Sequence, residues 1–197
     1  MITLAFCLAN TSVNRIGELK DPQFPRPVAM GAVQWDSEGI FAQYGCFIRH
    51  EDRSMSASAE KFYGIQDRVA RSRGIDERTA VACLTNSLPA SSHVVGWDLD
   101  FDLDVIRAAL IRHKPDAVSR IRPQLTLTSL APICATIVGK QDKNGEAVTP
   151  TISEALNLIA PESGIEPVDP HSQAMACRAL YVALCAENLI SDQEIAA

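Results

Sequence analysis

The run Val94-Val95-Gly96-Trp97-Asp98-Leu99-Asp100-Phe101-Asp102-Leu103-Asp104 constrains the chain more than any other segment. Its β-branched start reads as a buried strand. The alternating aspartates that follow read as the beginning of a helix, where carboxylates complement the positive end of the helix dipole. A buried strand that runs directly into a helix is the unit from which α/β sheets are built.

The neighbouring segments extend that pattern. Residues 4–8 read as a short buried strand, and residues 28–35 and 40–48 as two strands joined at Asp36-Ser37-Glu38-Gly39, a good hairpin turn. Residues 54–64 read as a polar connector. A helix is expected over 76–86, with Ala80, Val81 and Leu84 on one face, and another over 102–113, with Ile106, Ala109 and Leu110 inward. Residues 125–138 are apolar throughout; 125–130 alternate like a strand and the rest suits a helix. Residues 152–159 form a further helix, with Thr151 and Glu154 able to make a capping box, and 174–185 the last. Strands that first pair and then alternate with helices predict an α/β fold, a mixed sheet covered by helices, with the first strand central.

At 197 residues the chain is expected to be one domain over 1–197, with no repeat or low-complexity tract. Hydrophobic residues make up 47% and charged residues 21%, which excludes a disordered chain. No apolar run approaches the roughly 20 residues of a membrane span. The N-terminus has no basic stretch of the kind that opens a signal peptide and reads as a core strand. The six cysteines stand singly in apolar segments with no CxxC pair, which points to free thiols in a reducing cytoplasm. A net charge of −6 opposes nonspecific attraction to nucleic acid but leaves room for a local basic groove.

Several site types are absent: no GxxxxGK[ST] loop, no GxGxxG turn, no GxSxG elbow, and no metal-ligand spacing among His50, His93, His113 and His171. Taken alone, Asp98 and Asp100 are helix-capping acids and His171 is a residue at a helix start.

Order and spacing add to this. A first strand is followed by a hairpin, Tyr63-Gly64-Ile65, a helix, Trp97-Asp98-Leu99-Asp100-Phe101-Asp102, another helix, and His171 before the last helix. In that order the motifs resemble the DEDDh family of 3′–5′ exonucleases over about residues 2–187. The resemblance implies a ribonuclease H-like fold with a five-stranded mixed sheet. Family members carry D-T-E-T-T-G on the first strand, where this chain has Cys7-Leu8-Ala9-Asn10-Thr11-Ser12. Cys7 and Ala9 therefore stand in place of two metal ligands. The second motif, H-N-x-x-F-D, is matched from Trp97 to Asp102, which makes Asp102 the one retained ligand. The third motif sets a histidine five residues before the last aspartate. His171 fits that histidine as a vestigial general base, and Ala176 stands where the aspartate would be. By the same resemblance, Cys7, Ala9, Asp102, His171 and Ala176 should meet in one cleft.

Two-metal hydrolysis needs clustered carboxylates to offset about four positive charges and hold the ions roughly 4 Å apart. A thiol is a poor ligand for magnesium, and Asp102 alone cannot organise such a site. The leading expectation is thus a catalytically inactive exonuclease-like protein, a pseudo-nuclease serving as a binding or assembly module, with no cofactor. One alternative is a working magnesium- or manganese-dependent 3′–5′ exonuclease of DNA or RNA whose ligands have been substituted, which the natural gene sequence would decide. Another is a structural subunit of a viral particle or larger complex. Single-stranded nucleic acid is the candidate partner, held weakly through Arg68, Arg71, Arg73, Arg107 and Arg112, with Arg78, Lys114, Arg120 and Arg122 nearby in sequence. A homo-oligomer is compatible with the sequence, and nothing in it specifies a protein partner.

Overall fold

The structure is a computed structural model that describes residues 1–88, 93–113 and 125–190. Six strands form one mixed sheet in the order β4-β3-β2-β1-β5-β6. They are β1 (Thr3–Asn10), β2 (Pro27–Asp36), β3 (Gly39–Arg49), β4 (Ile75–Asp76), β5 (His93–Gly96) and β6 (Thr126–Ser129). The first strand is interior, antiparallel to β2 and parallel to β5, as the sequence predicts. Five of the strands are the expected ones. The sixth, β4, pairs only Ile75 and Asp76 with the end of β3, too short a stretch to leave a periodic signature.

Among the described residues seven α-helices cover the sheet: α1 (Ala57–Tyr63), α2 (Asp67–Arg73), α3 (Glu77–Ser87), α4 (Leu99–His113), α5 (Leu130–Val138), α6 (Ile152–Ile159) and α7 (Pro170–Ala186). Every residue of β1 is buried, and its alternation sorts the core into two layers. Leu4, Phe6 and Leu8 pack with Leu84 of α3 and with Leu103 and Ile106 of α4. Ala5 and Cys7 face the other way, against Leu156 of α6 and Ala174, Cys177 and Leu180 of α7. Small side chains on that face let α7 come close. The approach is tightest at Gly31 of β2, where a Cβ would overlap the backbone of Pro170 and His171. Among the described residues no helix is long and apolar enough to cross a membrane.

Two helices lie where residues 54–64 read as a connector and just beyond it. Each has seven residues, too few to be stable alone or to show an apolar stripe. Their support is tertiary: Ala59 and Ala70 are buried with Met55 and Ile65 against Ala9, Val28 and Ala29. Local signals for α1 do exist. Ser56 caps its first turn by accepting from the Ala59 N–H, and Gly64 ends it in the left-handed conformation. The expected capping box of Thr151 and Glu154 is formed at α6.

Substituting Gly31→Ala should destabilise the protein by about 3 kcal/mol, because the new methyl meets helix backbone that cannot swing aside. Gly45→Ala, where the nearest atom is the His171 Cβ at 2.9 Å, should cost less. Urea unfolding of the two variants checks the order.

Candidate functional site

Strands β1, β5 and β6 run parallel and end at the same edge of the sheet. Open parallel sheets place their ligand crevices at such carboxyl ends. A cleft of about 1030 Å³ lies here, with Cys7 and Leu8 from β1, Trp97 to Asp102 excepting Leu99, Ser129 at the end of β6, and Gln173 of α7 in its wall. Phe62 and Tyr63, the last residues of α1, close one side, and Pro132, Pro150, Ile152 and Pro167 another.

The start of α4 sets the geometry. Sequence alone places the helix from residue 102, but it begins at Leu99. The difference comes from a contact distant in sequence. The Ser129 hydroxyl donates to the Trp97 carbonyl at 2.9 Å and accepts the Leu99 N–H at 3.3 Å, so the chain turns into helix one turn early. Asp98 then stands just before the helix, Asp100 and Asp102 fall in its first turn, and Asp102 points down at β1. Its Oδ2 accepts the Leu8 N–H at 3.2 Å. Asp102 is only 7% exposed. Burial pushes its carboxyl well above the usual carboxylate range and the neighbouring Asp98 charge adds to this, while the Leu8 N–H opposes both. Burial likewise raises the Tyr63 hydroxyl, with Asp102 adding to the effect.

Beside Asp102, the Cys7 and Cys177 sulfurs meet at 3.6 Å. That contact, with burial, raises the Cys177 thiol well above its ordinary value, so it is protonated at neutral pH. All six cysteines are free thiols. Among the described residues no three His, Cys, Asp or Glu side chains gather closely enough to hold a metal ion. A hard dication would find here a buried carboxyl already bonded to backbone and two cysteine sulfurs in mutual contact. Those donors do not fit it.

The expected residues separate accordingly. Cys7 and Asp102 line the cleft. Ala9 does not; it is fully buried under α1 and α2. Ala176 is buried in the core beneath α7. His171 lies in a separate shallow groove over β2 and β3, with Gly45, Phe47 and Asp169. The expectation that all five share one cleft is therefore corrected. The cause is the rotational setting of α7, fixed where its first turn rests on Gly31, which brings Gln173 to the cleft wall and Cys177 against Cys7 behind it, in place of His171 and Ala176.

The expected arginines do not form a groove beside it. Arg71 pairs with Asp67 at 2.6 Å, Arg107 with Asp104 at 2.7 Å and Arg112 with the buried Glu77 at 2.5 Å. Arg68 bonds the Gln66 side chain, and Arg73 is exposed on α2. None of the five lines the cleft. Lys114, Arg120 and Arg122 lie outside the described residues. Residues that sequence reasoning passed over are Phe62, Ser129 and Gln173. Only Gln173 left a signal, its four-residue spacing from Cys177 on one helix face.

Asp102 is raised in the folded state relative to the unfolded one, so folding binds its proton more tightly. Stability is then fully present below the unfolded carboxyl range and falls as pH rises from there through the folded pKa. Asp102→Asn keeps the acceptor for Leu8 and removes the charge. It should raise the melting temperature at neutral pH and give no gain at about pH 3, below the unfolded aspartate pKa. Melting curves across that range, parent against variant, check the sign.

No protein-family model matches the chain, and no curated protein does. Solved structures do. Exonuclease I of E. coli in complex with a 5cy-dA13 oligonucleotide aligns with 94% of this chain at 16% identity and a TM-score of 0.69. Exonuclease I of the moderately thermophilic Methylocaldum szegediense aligns with 95% at 17% identity and 0.73, and a product-bound exonuclease I with 94% at 17% identity and 0.71. The chain spans only 40%, 41% and 43% of those proteins. At such identities the likeness establishes the fold: a ribonuclease H-like mixed α/β sheet flanked by helices, shared with exonuclease I.

Proposed function

We propose that this chain is a nuclease fold employed for binding, without hydrolysis of nucleic acid. The observation that carries the reading is the thiol contact between Cys7 and Cys177 beside a buried Asp102. The exonuclease resemblance puts a metal-binding acid at Cys7, and the fold puts Cys177 directly against it. Phosphoryl hydrolysis in that arrangement needs clustered, ionised carboxylates. Burial raises the Asp102 carboxyl, and the Cys7 contact with burial raises the Cys177 thiol, so both resist ionisation, and sulfur is no hard oxygen ligand. His171 lines a separate groove and is not in the wall that holds Asp102, which supports the same reading. The free thiols fit a reducing, intracellular setting.

Single-stranded nucleic acid is a second reading, favoured by the oligonucleotide in the E. coli exonuclease I structure. Electrostatics weigh against it as the main ligand. The described wall of the cleft holds the exposed Asp98 and Asp100, with Asp102 buried beside them, and no Lys, Arg or His, whereas phosphates need cations.

Labelled single strands of DNA and RNA incubated with magnesium or manganese should show no shortening from the 3′ end on a gel. Metal-dependent trimming that disappears in Asp102→Asn would overturn the reading.

A further inference from the structure

We infer that the cleft receives an arginine- or lysine-bearing peptide segment of a partner protein; this rests on the reading of the chain as a binding module. The first observation is how acids are paired. Outside the cleft, Asp104, Asp67, Asp52, Glu77 and Glu154 each hold an arginine, lysine or histidine within 2.9 Å, while others such as Glu38 and Glu187 make no ion pair among the described residues and lie away from the aromatic rings of the cleft. Inside it, Asp98, Asp100 and Asp102 make no ion pair among the described residues. Asp98 and Asp100 are exposed, so their charges stand at the surface of the cleft with no cation of this chain to meet them.

The second observation is apolar. Phe62 is 72% exposed and stands edge-on to Tyr63 at 4.9 Å on one wall. Trp97 and Phe101 flank Asp98 and Asp100 in sequence and line the same cleft. An exposed ring near unpaired carboxylates suits a long cationic side chain, which lays its methylene stem on the ring and carries its charge to the acid.

These two features discriminate between ligands. A metal ion would account for the acids but not for the exposed phenyl ring. A nucleic acid strand would account for the rings by stacking, yet its phosphates would meet only carboxylates. The side-chain amides of Asn14 and Gln173 line the cleft and make no hydrogen bond among the described residues. Each offers the donor and acceptor that a peptide backbone requires and a polyamine does not.

The test is fluorescence anisotropy with a short labelled peptide of alternating arginine and leucine. Its glutamate-for-arginine counterpart and a labelled oligothymidylate are measured alongside, and spermine serves as unlabelled competitor. The arginine peptide should bind and the glutamate peptide should not. Asp98→Asn with Asp100→Asn should weaken binding roughly tenfold, since the attraction is local to the cleft. Glu38→Gln with Glu187→Gln removes the same charge from exposed positions elsewhere and should change it less than about twofold. Phe62→Ala should weaken it too, while circular dichroism reports that the fold persists. Equal loss in the two double variants would overturn the proposal, because attraction would then follow net charge alone. So would absence of arginine-peptide binding, full displacement by spermine at equal charge concentration, or an oligothymidylate that binds more tightly and responds to the cleft variants. None of these outcomes reads hydrolysis, so the gel assay judges the non-hydrolytic reading separately.

Discussion

The burial of β1 governs the rest of the molecule. All eight of its residues are shielded from solvent, between β2 and β5 in the plane of the sheet and between two layers of helices above and below. A strand so placed cannot bear ionised side chains unless something positive meets them, since an unpaired charge in such surroundings costs many kcal/mol. Alanine and cysteine on its α7 face remove that demand. They also leave room for the helix to settle directly on the strand, so a face without charge is also a closely packed one.

Much of this fold was legible because its signals are local. The hairpin of β2 and β3 announced itself by two apolar runs around a four-residue turn, and α6 by its capping box. The order of strands and helices carried the topology. What escaped were features decided by distant contacts. Helices α1 and α2 are too short for periodicity and stand only because alanines on each are buried against β1 and β2. The start of α4 moved from 102 to Leu99 because a serine some thirty residues later caps it. The resemblance to the exonuclease motifs brought His171 and Ala176 into the candidate site. Contact geometry puts Gln173 in the cleft wall and Cys177 behind it, against Cys7.

Charge in this protein is organised by location. Away from the cleft, several carboxylates serve as structural links: Glu77, 5% exposed, gathers Arg112 and His113 and ties the start of α3 to the end of α4. At the carboxyl ends of the parallel strands Asp98 and Asp100 make no ion pair among the described residues. Core and cleft thus meet at Asp102, whose carboxyl belongs to both: it bonds the central strand and forms part of the cleft wall.

The close seat of α7 on Gly31 works as an index pin for a rotating shaft. Successive helical residues are turned by about 100°, so a slip of one position would exchange the whole stripe that looks into the cleft. With backbone resting on backbone there is no side chain in between to flex and absorb such a slip. The identity of the residues that any ligand meets on α7 is therefore decided at a point outside the cleft, by an atom that glycine does not have. Variation at Gln173 would alter what the cleft recognises; variation at Gly31 would alter which residues are offered for recognition at all.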